Sequence, residues 1–428
     1  MEHCPFPSSS FPSSSFRFPF PRVPATLPPD AYARFRHEDP VVRVAMPSGD
    51  PTYLITRYED ARLVLTDPRF SRSLELAGLR LGAVGIADHL LLSTLANMDR
   101  PEHPRLRRVV APAFSRDRVE RLRPRIREVT ARHLDRLAEL PPPVDLAEAL
   151  CSRLPAAVLL EYLGIPLSDR QDLLHWTKVL TDLSGHAQEE VDEARGLLHR
   201  HLKEVIAERR RHPGDDVLTA LSRCCYEDGG ITELELEALA MFLLIGGLHT
   251  VVYQLGLIVV ALLLCPERAA ELAATDEPEP CVEELLRYTN AVESSLLRIT
   301  TEEVEIAGVT IPAGSAVLPA IPAANHDPAR FACPETIDFT RSATGHLTFG
   351  HGMHRCLGAP ISRLMLNVIV PELFRRLPDL RLAVPAEELR WLPDRLLTGY
   401  ASIPVTWSGR PDTTVDTREA RVVTSDAR

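Results

Sequence analysis

From Ala238 to Cys265 the chain is almost continuously apolar, a run long enough to cross a bilayer. Two places can satisfy such a segment, a membrane or the middle of a large protein core. Its centre decides between them. Gly246, Gly247, His249, Thr250, Tyr253 and Gln254 put small and polar groups where lipid would penalise them. The sequence therefore predicts a helix through the protein interior, bordered by something that uses those groups, and no membrane span. At 428 residues the chain is long enough to enclose that helix beside a cavity of cofactor size.

The surroundings of the run agree with a mainly α architecture. Between about Phe114 and Cys281 apolar residues recur at helical spacing, as in Val119, Leu122, Ile126, Val129 and Leu134, with a break at Pro141–Pro143. Short β-like stretches near Val41–Val44, Tyr53–Ile55, Val304–Ile311 and Ala316–Leu318 predict small sheets. Composition divides the chain into a flexible Pro/Ser-rich opening at 1–28, a body at 29–407 and a polar, disordered tail at 408–428. The opening has no cationic start followed by an apolar run, so it reads as neither signal peptide nor anchor. Eight scattered cysteines without paired zinc-type spacing point to a reducing cytoplasm. A formal net charge of −11 excludes a general nucleic-acid binder, since phosphate backbones attract clustered cations.

One cysteine has a special setting. Phe349-Gly350-His351-Gly352-Met353-His354-Arg355-Cys356-Leu357-Gly358 is a glycine-laced loop that presents Cys356 just ahead of the helix-like stretch Ile361–Val370. A sulfur at a helix start meets unpaired backbone N–H groups and the positive end of the dipole, which favours the thiolate and metal ligation. Glycines let backbone approach that sulfur and the face of a flat cofactor, because no Cβ intervenes. The loop resembles that of the cytochrome P450 family, F-G-x-G-x-H-x-C-x-G, at every fixed position. The resemblance spans Pro29–Trp407 and implies the P450 fold, mainly α with a small β-sheet region, of the soluble bacterial type. By it, Cys356 is the axial ligand of haem iron, and Phe349, Gly350 and Gly358 border the haem.

Other elements follow in family order. Glu284 and Arg287 stand three apart on one helical face, where they can pair. They match the family's structural E-x-x-R, with Arg341 the candidate third member. Haem brings two propionates, which need cationic partners if buried. His103 and Arg107, spaced i, i+4, resemble the family's propionate pair, with Arg298 and His354 as further contacts. Between Arg100 and Arg127 arginines outnumber acids, and the resemblance sets the start of that run where a ferredoxin would dock. With no flavin or iron–sulfur module in the sequence, electrons would come from NAD(P)H through a ferredoxin reductase and a ferredoxin. The implied cofactors are haem b and O2.

Within the apolar run, Gly246-Gly247-Leu248-His249-Thr250 matches the family's A/G-G-x-D/E-T motif except that His249 replaces the acid. In the family a helix distortion at this motif opens an oxygen pocket, and the acid and alcohol relay protons. Thr250 keeps the hydroxyl; His249 either shuttles protons itself or is a buried ring satisfied by a carbonyl. Phe242 and Ile245 share the face of Gly246 and Thr250, while Ser294, Leu296, Leu397 and the loop Leu74–Thr94 complete the substrate pocket by analogy. An apolar pocket suits a small lipophilic or aromatic substrate. The leading reading is a monooxygenase of natural-product biosynthesis. Two others stay open: oxidative C–C or C–N coupling of a tryptophan- or tyrosine-derived aromatic without oxygen insertion, and a haem-binding sensor without turnover.

Overall fold

The computed structural model describes residues 16–20, 28–73, 94–182, 185–293, 296–392 and 397–408. Strand β1 (Phe16–Arg17) precedes helix α1 (Asp30–Glu38), strands β2 (Val41–Ala45) and β3 (Pro51–Ile55), helix α2 (Tyr58–Thr66) and strand β4 (Phe70–Ser71). A helical body follows: α3 (Glu102–Val110), α4 (Arg123–Ala138), α5 (Arg153–Leu163), α6 (Arg170–Thr181), α7 (Gln188–Arg211), α8 (Val217–Tyr226), α9 (Glu233–Leu263), α10 (Pro266–Ala274) and α11 (Glu279–Tyr288). Strands β5 (Arg298–Thr300) and β6 (Ala316–Pro319) and helix α12 (Ala359–Arg376) lie beyond.

Helix α9 is the axis of the body. Thr232 starts it with a capping box, its hydroxyl accepting from the Glu235 N–H at 3.2 Å while the Glu235 carboxylate accepts from the Thr232 N–H at 2.8 Å. Such a cap contributes about 1 kcal/mol and fixes where the helix begins. Beyond it the apolar residues go round all sides, as a helix enclosed by protein requires. Helices α5, α6, α7, α8, α10, α11 and α12 all contact it. It is long and apolar enough to cross a membrane, yet most of it is buried in the molecule.

The main sheet has the order β1-β2-β3-β6-β5-β4. β2 and β3 form an antiparallel pair, β3 runs parallel to β6, and β6, β5 and β4 continue antiparallel. The register Ser71↔Ile299 brings Arg72, just past β4, beside Arg298 on β5. The β-like stretches expected from sequence are found; Val304–Ile306 and Val309–Ile311 make a separate hairpin. Strands of two or three residues, such as β1, β4 and Arg381–Leu382, carry too little pattern to be read beforehand.

The expectation of a flexible opening is corrected at Phe16–Phe20. β1 pairs in parallel with β2, and Phe18 and Phe20 are buried against Tyr32 and Phe35 of α1. Aromatic burial outweighs the Pro/Ser composition there. The rest of 1–28, apart from residue 28, and the tail from 409 onward lie outside the described residues.

Candidate active site

The Cys356 loop is built by its own hydrogen bonds. The Cys356 N–H donates to the Phe349 carbonyl at 2.8 Å, and the Gly350 N–H donates to the Leu347 carbonyl at 2.8 Å. Gly352, at φ +70°, passes so close to α2 that a Cβ would lie 2.9 Å from Thr66 Cγ2 and 3.0 Å from the Leu65 carbonyl oxygen. Only glycine satisfies both demands. Gly358 caps the start of α12, leaving Cys356 two residues before it. Burial pushes the Cys356 thiol up, while the Gly358 N–H, the Arg107 charge, the Ala359 N–H and the Arg363 charge pull it down.

Behind the loop stands a cluster that sequence reasoning missed. The Arg363 guanidinium lies 4.3 Å from the Phe349 ring centroid and holds Glu283 at 2.5 and 2.8 Å. His346 reaches the same carboxylate at 3.3 Å. Burial works to raise the Glu283 carboxyl, but its bonds to Arg363 and His346 outweigh that and bring it down to about 2.

Close by, two imidazoles and two guanidinium groups converge. His103 on α3 and His354 in the loop have ring centroids 4.2 Å apart. Burial, then the charge of Arg107, depresses the His103 imidazole to about 4. Burial, then the charge of Arg298, depresses His354 to about 2. Arg298, 1% exposed, is driven well below the usual guanidinium range by burial, with Arg72 adding its charge. Burial lowers Arg72 to about 10 against the pull of Asp99. Arg72 is a further residue the sequence did not reveal; it donates to the Leu297 carbonyl at 2.8 Å and the Ala96 carbonyl at 2.6 Å. Arg107 donates to the Arg355 carbonyl at 2.7 Å, against the Cys loop.

His103 Nδ1 and His354 Nε2 are buried without a hydrogen-bond partner. So many donors converging, with Asp99 the acid among the described residues there, are costly alone and are relieved by an anion. A flat group with two carboxylate arms and a metal that takes a thiolate fits this set of residues, which is the donor chemistry of haem. When bound, haem supplies dioxygen activation, and the thiolate's electron density favours O–O cleavage.

The E-x-x-R expectation is met in full geometry. Glu284 and Arg287, both fully buried, pair at 2.7 and 2.8 Å, and Arg341 Nε joins Glu284 Oε1 at 3.1 Å. Arg287 also donates to the carbonyls of Asn325 and Pro334 at 2.9 Å each. The triad thereby ties α11 to the segment leading into the Cys loop.

On α9, Gly246 is exposed, and Phe242, Ile245 and Thr250 are half-buried. The Thr250 hydroxyl donates back to the Gly246 carbonyl at 2.9 Å, within a helix that runs unbroken from Glu233 to Leu263. One expectation changes here, and one open alternative narrows. Gly247 does not open the pocket: a Cβ there would meet Leu159 Cδ2 of α5 at 2.9 Å, so its smallness serves helix packing. His249 is a buried ring held by α6, its Nε2 on the Thr177 hydroxyl at 3.0 Å and the Leu174 carbonyl at 3.1 Å, and it is stacked on Tyr253 at 5.5 Å. With Tyr253, Lys178 and Tyr400 it lines a cavity of about 390 Å³. Leu296 is half-buried, and Leu397 is buried and bridges to Val292. Ser294 and residues 74–93 lie outside the described residues.

The model of the family Cytochrome P450 matches residues 279–380, from α11 through the Cys loop into α12. The chain is 38% identical to nocardicin C N-oxygenase of Nocardia uniformis subsp. tsuyamanensis, over 88% of this chain and 94% of that protein. It is 39% identical to the cytochrome P450 monooxygenase PikC of Streptomyces venezuelae, over 90% of this chain and 92% of that one. Its structure resembles that of the mycinamicin VIII C21 methyl hydroxylase MycCI of Micromonospora griseorubida, bound to mycinamicin VIII, with a TM-score of 0.86 at 34% identity, over 92% of this chain and 100% of that one. The chain belongs to the cytochrome P450 family. It is a haem monooxygenase of secondary metabolism, of the bacterial type, supplied with electrons by redox partners.

Proposed function

We propose that this enzyme inserts oxygen into a lipophilic or aromatic small molecule in the cytoplasm. Its cofactor is haem b, and electrons pass from NAD(P)H through a ferredoxin reductase and a ferredoxin. One observation carries the reading: Cys356, just ahead of α12, follows His354, whose ring meets that of His103 and feels the charges of Arg298 and Arg72. In that arrangement the Gly358 and Ala359 N–H groups would favour negative charge on sulfur, while the guanidinium groups of Arg72 and Arg298 and the neutral imidazole N–H groups of His103 and His354 would hold the two carboxylates.

Thr250 has a defined proton direction. Its hydroxyl hydrogen is committed to the Gly246 carbonyl, so toward the pocket Oγ1 accepts. It therefore holds a water or a protonated oxygen in place, while Phe242, Ile245 and Leu296 present apolar surface that admits lipophilic ligands and keeps bulk water out. The exposed Arg108, Arg116 and Arg121, together with Arg355 of the Cys loop, suit an acidic electron donor.

Reconstitution with NADPH, a ferredoxin reductase and a ferredoxin, screened across lipophilic and aromatic natural products, tests this. The expected result is substrate-dependent consumption of reductant with a product one oxygen heavier. Consumption with a product that has lost hydrogen and gained no oxygen would replace insertion by coupling. No substrate-dependent consumption across the panel would favour a binder without turnover.

A further inference from the structure

Glu293 is an acid in an interior position, 4% exposed, one residue before the segment 294–296. Its Oε1 accepts from the Tyr32 hydroxyl of α1 at 3.0 Å, and its Oε2 accepts from the Thr398 hydroxyl at 3.1 Å. The backbone around it is drawn together as well. Val292 bridges to Leu397, and the Thr398 N–H donates to the Ala291 carbonyl at 2.7 Å. The Ala291 N–H in turn donates to the Gln254 side-chain carbonyl at 3.0 Å, while Gln254 Nε2 holds the Thr289 hydroxyl at 2.6 Å. Gln254 stands one turn beyond Thr250 on α9. Four stretches remote in sequence therefore meet at this point: α1, α9, residues 289–293, and 397–398.

Packing alone gives no reason for a carboxylate here, because an apolar side chain of similar size would fill the space without desolvating a charge. Sites that break the local rule in this way mark a functional demand. We infer that Glu293 is a specificity-determining positioning residue. By grasping Thr398 and Tyr32 it sets the distance between Leu296 and Leu397, and hence the width of the substrate pocket. The inference rests on the reading above that these two residues border the pocket.

The test uses the full chain loaded with haem. Ferric haem absorbance is titrated with a slim iron ligand, imidazole, and a bulky one, clotrimazole, in the wild type, Glu293→Gln, Glu293→Asp, Thr398→Val and Tyr32→Phe. The Gln amide keeps the size but exchanges one acceptor for a donor facing a hydroxyl. The ratio of clotrimazole to imidazole dissociation constants is expected to change about tenfold in Glu293→Gln, as displacements near an ångström do. Thr398→Val should move the ratio the same way, and Glu293→Asp should restore part of it. The imidazole constant and the thiolate-haem spectrum should stay near wild type throughout. An unchanged ratio in Glu293→Gln and Thr398→Val with that spectrum intact overturns the inference. If Glu293→Gln fails to fold, Thr398→Val and Tyr32→Phe decide by the same ratio. A wild type that takes up no haem overturns the underlying reading as well.

Discussion

The two sides of the site are held by different means. Around Cys356 the fixing combines a loop that closes on itself, from Phe349 to Gly358, with ion pairs, among them the Glu284, Arg287 and Arg341 triad that locks its approach. On the substrate side the fixing is done by contacts among distant stretches, His249 to Thr177, Gln254 to Ala291, and Glu293 to Tyr32 and Thr398. The first arrangement specifies one cofactor, whereas the second allows the pocket to vary while the cofactor site stays the same.

The comparison is broken most severely on the Cys side. Glu284→Ala leaves Arg287 charged and fully buried, which costs about 3–5 kcal/mol. Thermal unfolding and haem content should both drop steeply; a variant with wild-type melting and full haem would show that the triad does not hold the loop. Thr250→Ala removes the acceptor on the substrate side, and product formed per reductant consumed should fall on the order of a hundredfold. Its melting temperature should hardly change, so an equal loss of stability would assign the hydroxyl to folding instead.

Arg72→Leu sharpens the division from the cofactor's side. Removing one buried cation from the carboxylate cluster should weaken haem retention by about 2 kcal/mol, near the lower end for a truncated buried charge pair, as haem transfer to apomyoglobin would report. The acid limb of stability gives a further handle. Glu283 titrates in the folded protein near 2 against 4.5 for a free glutamate, so its contribution is full above about 4.5 and is lost as pH falls toward 2. Glu283→Gln should flatten that part of the stability profile; an unaltered profile would mean Arg363 and His346 are held otherwise. Smallest is His249→Ala, which loses a buried hydrogen bond to α6 worth about 1 kcal/mol. A collapse of catalysis without loss of stability in that variant would restore the imidazole to a proton relay.

The same division governs what could be read from the amino acids. Cys356 and the E-x-x-R pair were legible because a glycine loop and a three-residue spacing are local patterns; His103, His354 and Arg298 came through the family resemblance, and the structure places these three around one point. Helix α9 was legible because its apolar length allows few destinations. Arg72 was not: it owes its position to the β4 to β5 register, a pairing of residues more than two hundred apart. Glu283 and Arg363 are charges eighty residues apart that meet only after α11 and α12 pack. The motif letters also left Gly247 ambiguous, since pocket opening and contact with Leu159 both ask for a missing Cβ. His249 was open between shuttle and satisfied ring until α6 was in place to supply a carbonyl.

Reduction under carbon monoxide tests the central claim most directly, because the absorbance of the complex reports whether sulfur is the ligand opposite the gas. The wild type should give the red-shifted band of a thiolate-ligated haem, and Cys356→Ala should lose it, while Cys151→Ala, which alters a buried cysteine elsewhere, keeps it. A wild type without that band, or a Cys356→Ala variant that retains it, would contradict the account.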